Sequence, residues 1–306
     1  MNLISASRRT DIPHYFAKWF AERRKAGFAE FRNAFGGKGR VSLRNEDVLG
    51  YLFWTKYAHS FENPLQALRD EGIPYVFQYT ITGYGHDLEP HIPRRENVID
   101  DFIAIAKTLP SPECIQWRYD PIVISKDFPV KFHLAHFRQI ASILEGATRV
   151  VNVSFPEPYA KTVLRMNDVV EVQYRQLNPR HKMVSTRYPN LPQVGQAAQI
   201  LLDGLVSIAA EYLIELRMCS NPEWSDLPNS QCCSVALFAP YGKELVKKVN
   251  QLEPSPSRDG CRCIKTIDIG MDNTCVSGCR YCYAVQSQET AVRNFKQHDP
   301  QNTMLR

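Results

Sequence analysis

The sequence predicts an α/β fold: a (β/α) barrel of mainly parallel strands, followed by a cysteine-rich C-terminal segment. Three observations predict it. Short runs rich in β-branched and aromatic residues alternate with amphipathic stretches through the first 217 residues, the pattern of strand–helix–strand units. The length of 306 residues suits one barrel of about 250 residues with appendages, although two domains fit it equally well. Finally, eight of the nine cysteines lie in the last third, with Cys114 the exception.

The predicted strands cover residues 3–5, 40–43, 50–54, 75–81, 114–117, 150–155 and 212–216, each a short apolar run. Helical periodicity is visible between them at 15–25, 64–70, 97–108, 131–144 and 193–210. Four strands end in polar or aromatic clusters: SRRTD at 7–11, WTK at 54–56, QYT at 78–80 with GYG at 83–85, and WRYDP at 117–121. Loops that follow parallel barrel strands share one face, so the four clusters should converge on a single pocket. Residues 1–218 form the expected barrel core and 219–263 an insertion containing the turn-rich NPEWSDLPNS and EPSPSRDG around a helical stretch at 241–252. A last strand at 264–269 opens the final segment, and the polar tail at 293–306 is expected on the surface.

Composition sets outer limits. With 44% hydrophobic and 23% charged residues, the chain can bury a large core, which excludes wholesale disorder and a fibrous fold. The N-terminus lacks a charged stretch followed by an apolar run, and no segment approaches the roughly 18 apolar residues of a membrane span, so a soluble cytoplasmic protein is expected. A net charge of +5, spread along the chain, permits an anionic small-molecule substrate or nucleic acid without demanding either.

The most specific feature is Cys275-Val-Ser-Gly-Cys279-Arg-Tyr-Cys282, a CxxxCxxC pattern after the strand KTIDIG. Three thiolates on a short loop can hold three irons of a cubane cluster and leave the fourth without a protein ligand. The same spacing also marks one face of a helix, but Asn273, Thr274, Ser277 and Gly278 favour a loop. Zinc is a rival occupant, although its structural sites usually draw paired ligands from two knuckles. For the other cysteines no single-loop template fits. Cys219, one of the adjacent Cys232 and Cys233 (with Cys233 the choice), Cys261 and Cys263 are candidate ligands of a second [4Fe-4S] cluster. A structural zinc or free buried thiols are the alternatives.

CxxxCxxC with the aromatic Tyr281 before the last cysteine resembles the cluster motif of the radical S-adenosylmethionine superfamily. The stretches SASRRTDIP, FWTK, QYTITGYG, WRYDPI and the CRC-IKTIDIG-NTC-GC-YCYA series resemble, almost end to end, the bacterial family catalogued as domain of unknown function 1848. The GCRYCY stretch is also similar to spore photoproduct lyase. The superfamily resemblance implies that Cys275, Cys279 and Cys282 ligate a [4Fe-4S] cluster and that S-adenosylmethionine chelates the open iron. Reduction of the cluster, by an external donor such as a flavodoxin or ferredoxin, would cleave the sulfonium to a 5′-deoxyadenosyl radical, and Tyr281 would pack near the adenine. In most superfamily members the cluster loop follows the first barrel strand, whereas here it lies near the C-terminus. A circularly permuted barrel reconciles the two if strand 264–269 pairs with the strand beginning at Leu3. The glycine-rich motif that many members use for the methionyl group is missing, and Gly83-Tyr84-Gly85 is a weak substitute.

On the substrate side, Arg8, Arg9, Asp11, Lys56, Arg118 and Asp120 are the candidate catalytic residues at the barrel mouth, with Gln78, Thr80 and Tyr281 as candidates for holding the cofactor. Arginine suits a bidentate grip on carboxylate or phosphate. His86 and His91, flanking Asp87 and Glu89 in GHDLEPHIP, read as a solvated turn, and Tyr79, Tyr119 and Tyr283 as packing residues before radical relays. The function expected is that of a radical S-adenosylmethionine enzyme. A non-catalytic iron–sulfur or zinc protein in electron transfer, or in nucleic-acid binding or repair, is the alternative.

Overall fold

Apolar runs with few polar interruptions become the inner strands of one sheet, because a parallel strand is covered on both faces. The computed structural model describes residues 1–33, 36–156, 159–167, 194–220, 226–257 and 260–306. Its strands are β1 (Asn2–Ser5), β2 (Phe28–Arg32), β3 (Lys38–Ser42), β4 (Val48–Thr55), β5 (Tyr75–Thr80), β6 (Ile115–Tyr119), β7 (Val150–Val153), β8 (Glu215–Met218) and β9 (Ile267–Asp268). Seven of them form a sheet in the order β8-β7-β6-β5-β4-β1-β9. Every pairing in it is parallel.

Parallel neighbours need crossovers, and helices supply them. The helices are α1 (Ile12–Tyr15), α2 (Ala17–Ala26), α3 (Glu62–Asp70), α4 (Arg95–Ala106), α5 (Val130–Leu144), α6 (Ala160–Asn167), α7 (Val194–Glu211), α8 (Lys243–Val249) and α9 (Gln288–Lys296). Helices α3, α4, α5 and α7 link consecutive strands from β4 to β8. The core between helices and sheet is strongly aromatic. Phe20, Phe53 and Phe61 meet at ring separations of 5.0–5.5 Å, and Trp117 stacks on Phe137 of α5 at 4.6 Å.

Strand β9 pairs with β1 as the permuted order requires, Ile4 opposite Ile267 and Ser5 opposite Asp268. The sheet is nevertheless not closed: among the described residues β8 and β9 are its two free edges, where a sealed barrel was expected. The segment after β8 occupies that side. Met218 bridges to Asn229, and Ile264 donates its backbone N–H to Cys233 O at 3.1 Å. The strand predicted at 40–43 is real but lies outside this sheet, pairing antiparallel with the unpredicted β2 around a Gly36-Gly37 turn. Gln193, Arg258, Asp259 and residues 221–225 of the turn-rich stretch lie outside the described residues.

The polar tail lies on the surface, as expected, but is docked there. Asn302 O accepts from Trp19 Nε1 at 2.9 Å, Gln301 O accepts from Arg23 at 2.9 Å, and Leu305 is 1% exposed. Backbone carbonyls do most of the docking, so residue type does not reveal it. Among the described residues no helix is long and apolar enough to cross a membrane.

One buried histidine makes the fold sensitive to acid. His133 on α5 donates from Nε2 to Val123 O at 3.1 Å and receives the Tyr119 hydroxyl on Nδ1 at 2.9 Å, so it folds neutral, and burial lowers its pKa to about 4. The unfolded chain then binds more protons between pH 6.5 and 4, and stability falls as pH falls through that window, by up to about 3 kcal/mol. His14, also lowered to about 4 by burial, acts in the same sense. Urea unfolding of His133→Gln should show a shallower loss of stability over this range, and an unchanged slope would refute the assignment.

Candidate active site at the strand ends

All seven strands of the main sheet send their C-terminal ends or following loops to one cavity of about 370 Å³. Of the four sequence clusters, Ser7–Asp11, Trp54–Lys56, Thr80, and Arg118 with Asp120 and Pro121 reach it, and residues 154–156, Cys219 and the loop after β9 complete the ring. Gly83, Tyr84 and Gly85 do not line it. Gln78 does not either. Its carboxamide is occupied below the cavity by Gln116 at 2.7 Å, Asn152 at 3.1 Å, Arg118 at 3.2 Å and Cys232 O at 2.9 Å. The expected cofactor contact is thus replaced by a brace that holds residues 230–232 against the sheet interior.

The loop after β9 carries Cys275, Cys279 and Cys282 into the cavity wall. It is held from three sides. The Thr10 hydroxyl bonds both Met271 O and Thr274 Oγ1 at 2.7 Å, Asn294 of α9 donates to Asn273 O at 2.7 Å, and Arg165 of α6 donates to Cys282 O. Gly278 is required in the motif: its φ is +71°, and a Cβ there would lie 2.9 Å from Pro90 Cγ and 3.1 Å from His91. Burial pushes the Cys275 thiol up to about 11 and the Cys279 thiol well above its ordinary value. Deprotonating these thiols therefore needs a nearby cation or a metal.

For Cys279 the nearby cation is Lys56. Its Nζ lies 2.8 Å from Glu89 Oε1 and 5.5 Å from the centre of the Tyr281 ring. Burial works against the ammonium, but Glu89, Cys279 and Asp120 outweigh it and leave the Lys56 pKa raised. Glu89 is 5% exposed and also accepts from Thr82 Oγ1 at 2.6 Å and from the Tyr281 hydroxyl. The GHDLEPHIP segment is thus solvated at His86, Asp87 and His91, as expected, but buried at Leu88 and Glu89. Leu88 O receives Arg280 N at 2.9 Å, and His91 N donates to Ser277 O at 3.3 Å, so this segment cradles the cysteine loop.

The arginines divide by what already holds them. Arg9 donates to Asp268 at 2.8 Å, to Gly270 O at 2.5 Å, to Arg32 O at 2.8 Å and to Asp272 at 3.3 Å, so it pins the two loops together and has little left for a substrate. Arg118 is committed to Asp120, Gln78 and Cys232 Sγ, the last at 2.9 Å. Asp120 is also held by the Ser154 hydroxyl. Arg8 is different: among the described residues no carboxylate pairs with its side chain, and its guanidinium lies 5.3 Å from the centre of the Trp54 ring, facing the cavity. Asp11 accepts from Thr55 Oγ1 at 2.8 Å, Lys56 N at 2.9 Å and His14 N at 3.1 Å. Burial nonetheless raises its pKa to about 6. It fixes the mutual position of the β1 and β4 ends.

Across the cavity from Cys279, four more cysteines, Cys219, Cys232, Cys261 and Cys263, line the wall. Cys233, the sequence choice, does not line it; Cys232 does. The neighbouring Cys263 side chain lowers the Cys261 thiol to about 5, whereas burial raises the Cys233 thiol.

The family model described as Domain of unknown function (DUF1848) matches residues 3–284. The chain belongs to this family. No curated protein and no solved structure matches it. The DUF1848 match runs from β1 through the cysteine loop, so every cavity-lining residue named above falls within it.

Within the DUF1848 chain, Glu89 is the residue that sequence reasoning missed. A single acid set between Leu88 and Ile92, both buried, was the available signal. Tyr79 and Tyr119 bond Asp101 and His133 behind the sheet, while Tyr283, half exposed, lines the cavity mouth.

Proposed function

We propose that this DUF1848 protein is a radical S-adenosylmethionine enzyme acting on a small, anionic substrate. The observation that carries the reading is the placement of Cys275, Cys279 and Cys282 on one partly buried loop that opens into the strand-end cavity beside Lys56. The donor set fits a polynuclear cluster. Among the described residues no three His, Cys, Asp or Glu side chains converge on one point as ligands of a single ion, and thiolates that each sit on a separate iron need not do so. A [4Fe-4S] cluster on these thiolates would retain one iron without a protein ligand and supply the electron that cleaves the sulfonium of S-adenosylmethionine.

The remaining roles belong to the chain. Lys56, kept charged by Glu89, offsets negative charge at Cys279. Tyr281, its hydroxyl fixed on Glu89, gives the cavity a rigid aromatic wall. Arg8, over the Trp54 ring and without a carboxylate partner among the described residues, is the grip for a carboxylate or phosphate. Thr80 adds a hydroxyl to the same wall. The loops fixed by Arg9 and Asp11 keep these groups in register and exclude water.

Anaerobically reconstituted protein, reduced in the presence of S-adenosylmethionine, should release 5′-deoxyadenosine and methionine. A protein with a full cluster that releases neither belongs instead to the non-catalytic iron–sulfur or zinc class.

A further inference from the structure

Cys219 and Cys232 are not needed by the reading above, and their sulfurs are close. Cys219 Sγ lies 3.7 Å from Cys232 Sγ. A disulfide bond is about 2.05 Å long, so the two sulfurs have to close by only about 1.7 Å, a movement within reach of side-chain rotation. The backbone holds the pair in place without help from the sulfurs. Met218 N donates to Pro228 O at 2.8 Å and Ser230 N donates to Met218 O at 2.7 Å, which lays the segment carrying Cys232 alongside the end of β8 that carries Cys219.

The surroundings suit thiol–disulfide exchange, in which negative charge passes from sulfur to sulfur. Arg118 Nη1 donates to Cys232 Sγ at 2.9 Å, and Ser230 Oγ lies 3.2 Å from the same sulfur. A cation and a hydroxyl therefore stand ready for the sulfur that attacks. Both cysteines line the strand-end cavity, so a small molecule that enters it meets them, although Cys219 is only 8% and Cys232 2% exposed. Cys233, adjacent in sequence and equally buried, does not line the cavity.

We propose that Cys219 and Cys232 form a redox-active dithiol that reduces low-molecular-weight disulfides admitted to the cavity. Cys232 attacks one sulfur of the small disulfide and breaks its S–S bond. The first small thiolate leaves with the proton that Cys232 gives up, and a mixed disulfide remains on Cys232. Cys219 then attacks Cys232 Sγ, which forms the protein disulfide and expels the second small thiolate, and that takes the proton from Cys219. Two electrons pass from the cysteine pair to the small disulfide, and neither a cluster nor S-adenosylmethionine takes part.

The test treats the folded full chain, prepared anaerobically, with glutathione disulfide and locates the cysteines by alkylation and peptide mapping. The map should show peptides joined through Cys219 and Cys232, and dithiothreitol should restore both thiols. Cys219→Ser should stop at glutathione bound to Cys232, Cys232→Ser should leave Cys219 unmodified, and Cys233→Ala should behave as the unaltered chain. If the serine variants fail to fold, the map of the unaltered chain decides by itself. Cys219 and Cys232 both remaining thiols, Cys232 joined to Cys261 or Cys263 instead, or a disulfide that forms only in urea would each overturn the proposal. Cys275, Cys279 and Cys282 lie on a separate stretch of chain, so the outcome is independent of sulfonium cleavage.

Discussion

Cys279→Ala is expected to abolish 5′-deoxyadenosine formation and to remove about four irons per chain, because two thiolates do not retain a cubane. The expected loss is complete, since Cys279 is the middle ligand of the loop. Its fold should survive, as deleting one buried sulfur costs about 1 kcal/mol, close to a small core truncation. The loop's other fastenings, through Thr10, Asn294 and Arg165, do not pass through the thiol. Cys114→Ala, at a buried position outside the cavity, provides the matched control and should keep its iron and its product. Iron retained at the wild-type level in Cys279→Ala, with product still formed, would remove the basis for the cluster assignment.

Glu89→Gln is expected to produce the largest loss of stability. The carboxylate is the counter-ion of Lys56 and accepts from Thr82 and Tyr281 as well. Both partners are largely buried, with side-chain exposures of 13% for Lys56 and 6% for Glu89. Removing one member of such a pair leaves an uncompensated charge at a cost of about 3–5 kcal/mol. The sign with pH follows from the lysine. Its raised pKa means that the pair's contribution is present at neutral pH, where the lysine is charged in both folded and unfolded chains, and is lost as pH rises through the folded lysine value. Urea unfolding at pH 7 should therefore show the full deficit in the variant, and Glu89→Gln combined with Lys56→Met should recover much of it. A deficit below about 0.5 kcal/mol would place Glu89 among ordinary surface residues.

Much of the scaffold was legible because parallel strands announce themselves. β4, β5 and β6 are apolar runs buried along nearly their whole length, and each ends in a polar cluster that does reach the cavity. The pairing of β9 with β1 followed from the position of the cysteine loop together with the order that the superfamily resemblance implies. What the sequence did not reveal depends on partners distant in the chain. Arg8 and Arg9 are adjacent and identical, yet one faces the cavity and the other is used up on Asp268 and two carbonyls. Gln78 sits on a strand that reaches the site but points into a buried amide network with Gln116 and Asn152. The docked tail and Glu89 were hidden for the same reason, since a polar residue looks solvated until its partner is known.

The sequence by itself determined the alternation of strands and helices and the three-cysteine loop after the last strand. Local spacing and hydrophobic runs are properties of the chain, so they can be read without coordinates. Only the tertiary structure decided that among the described residues the sheet stays open between β8 and β9, that Glu89 is the anchor of Lys56 and Tyr281, and that Cys232 instead of Cys233 faces the cavity. Successive side chains leave the backbone in different directions, and which of them meets the cavity depends on how far-apart segments pack.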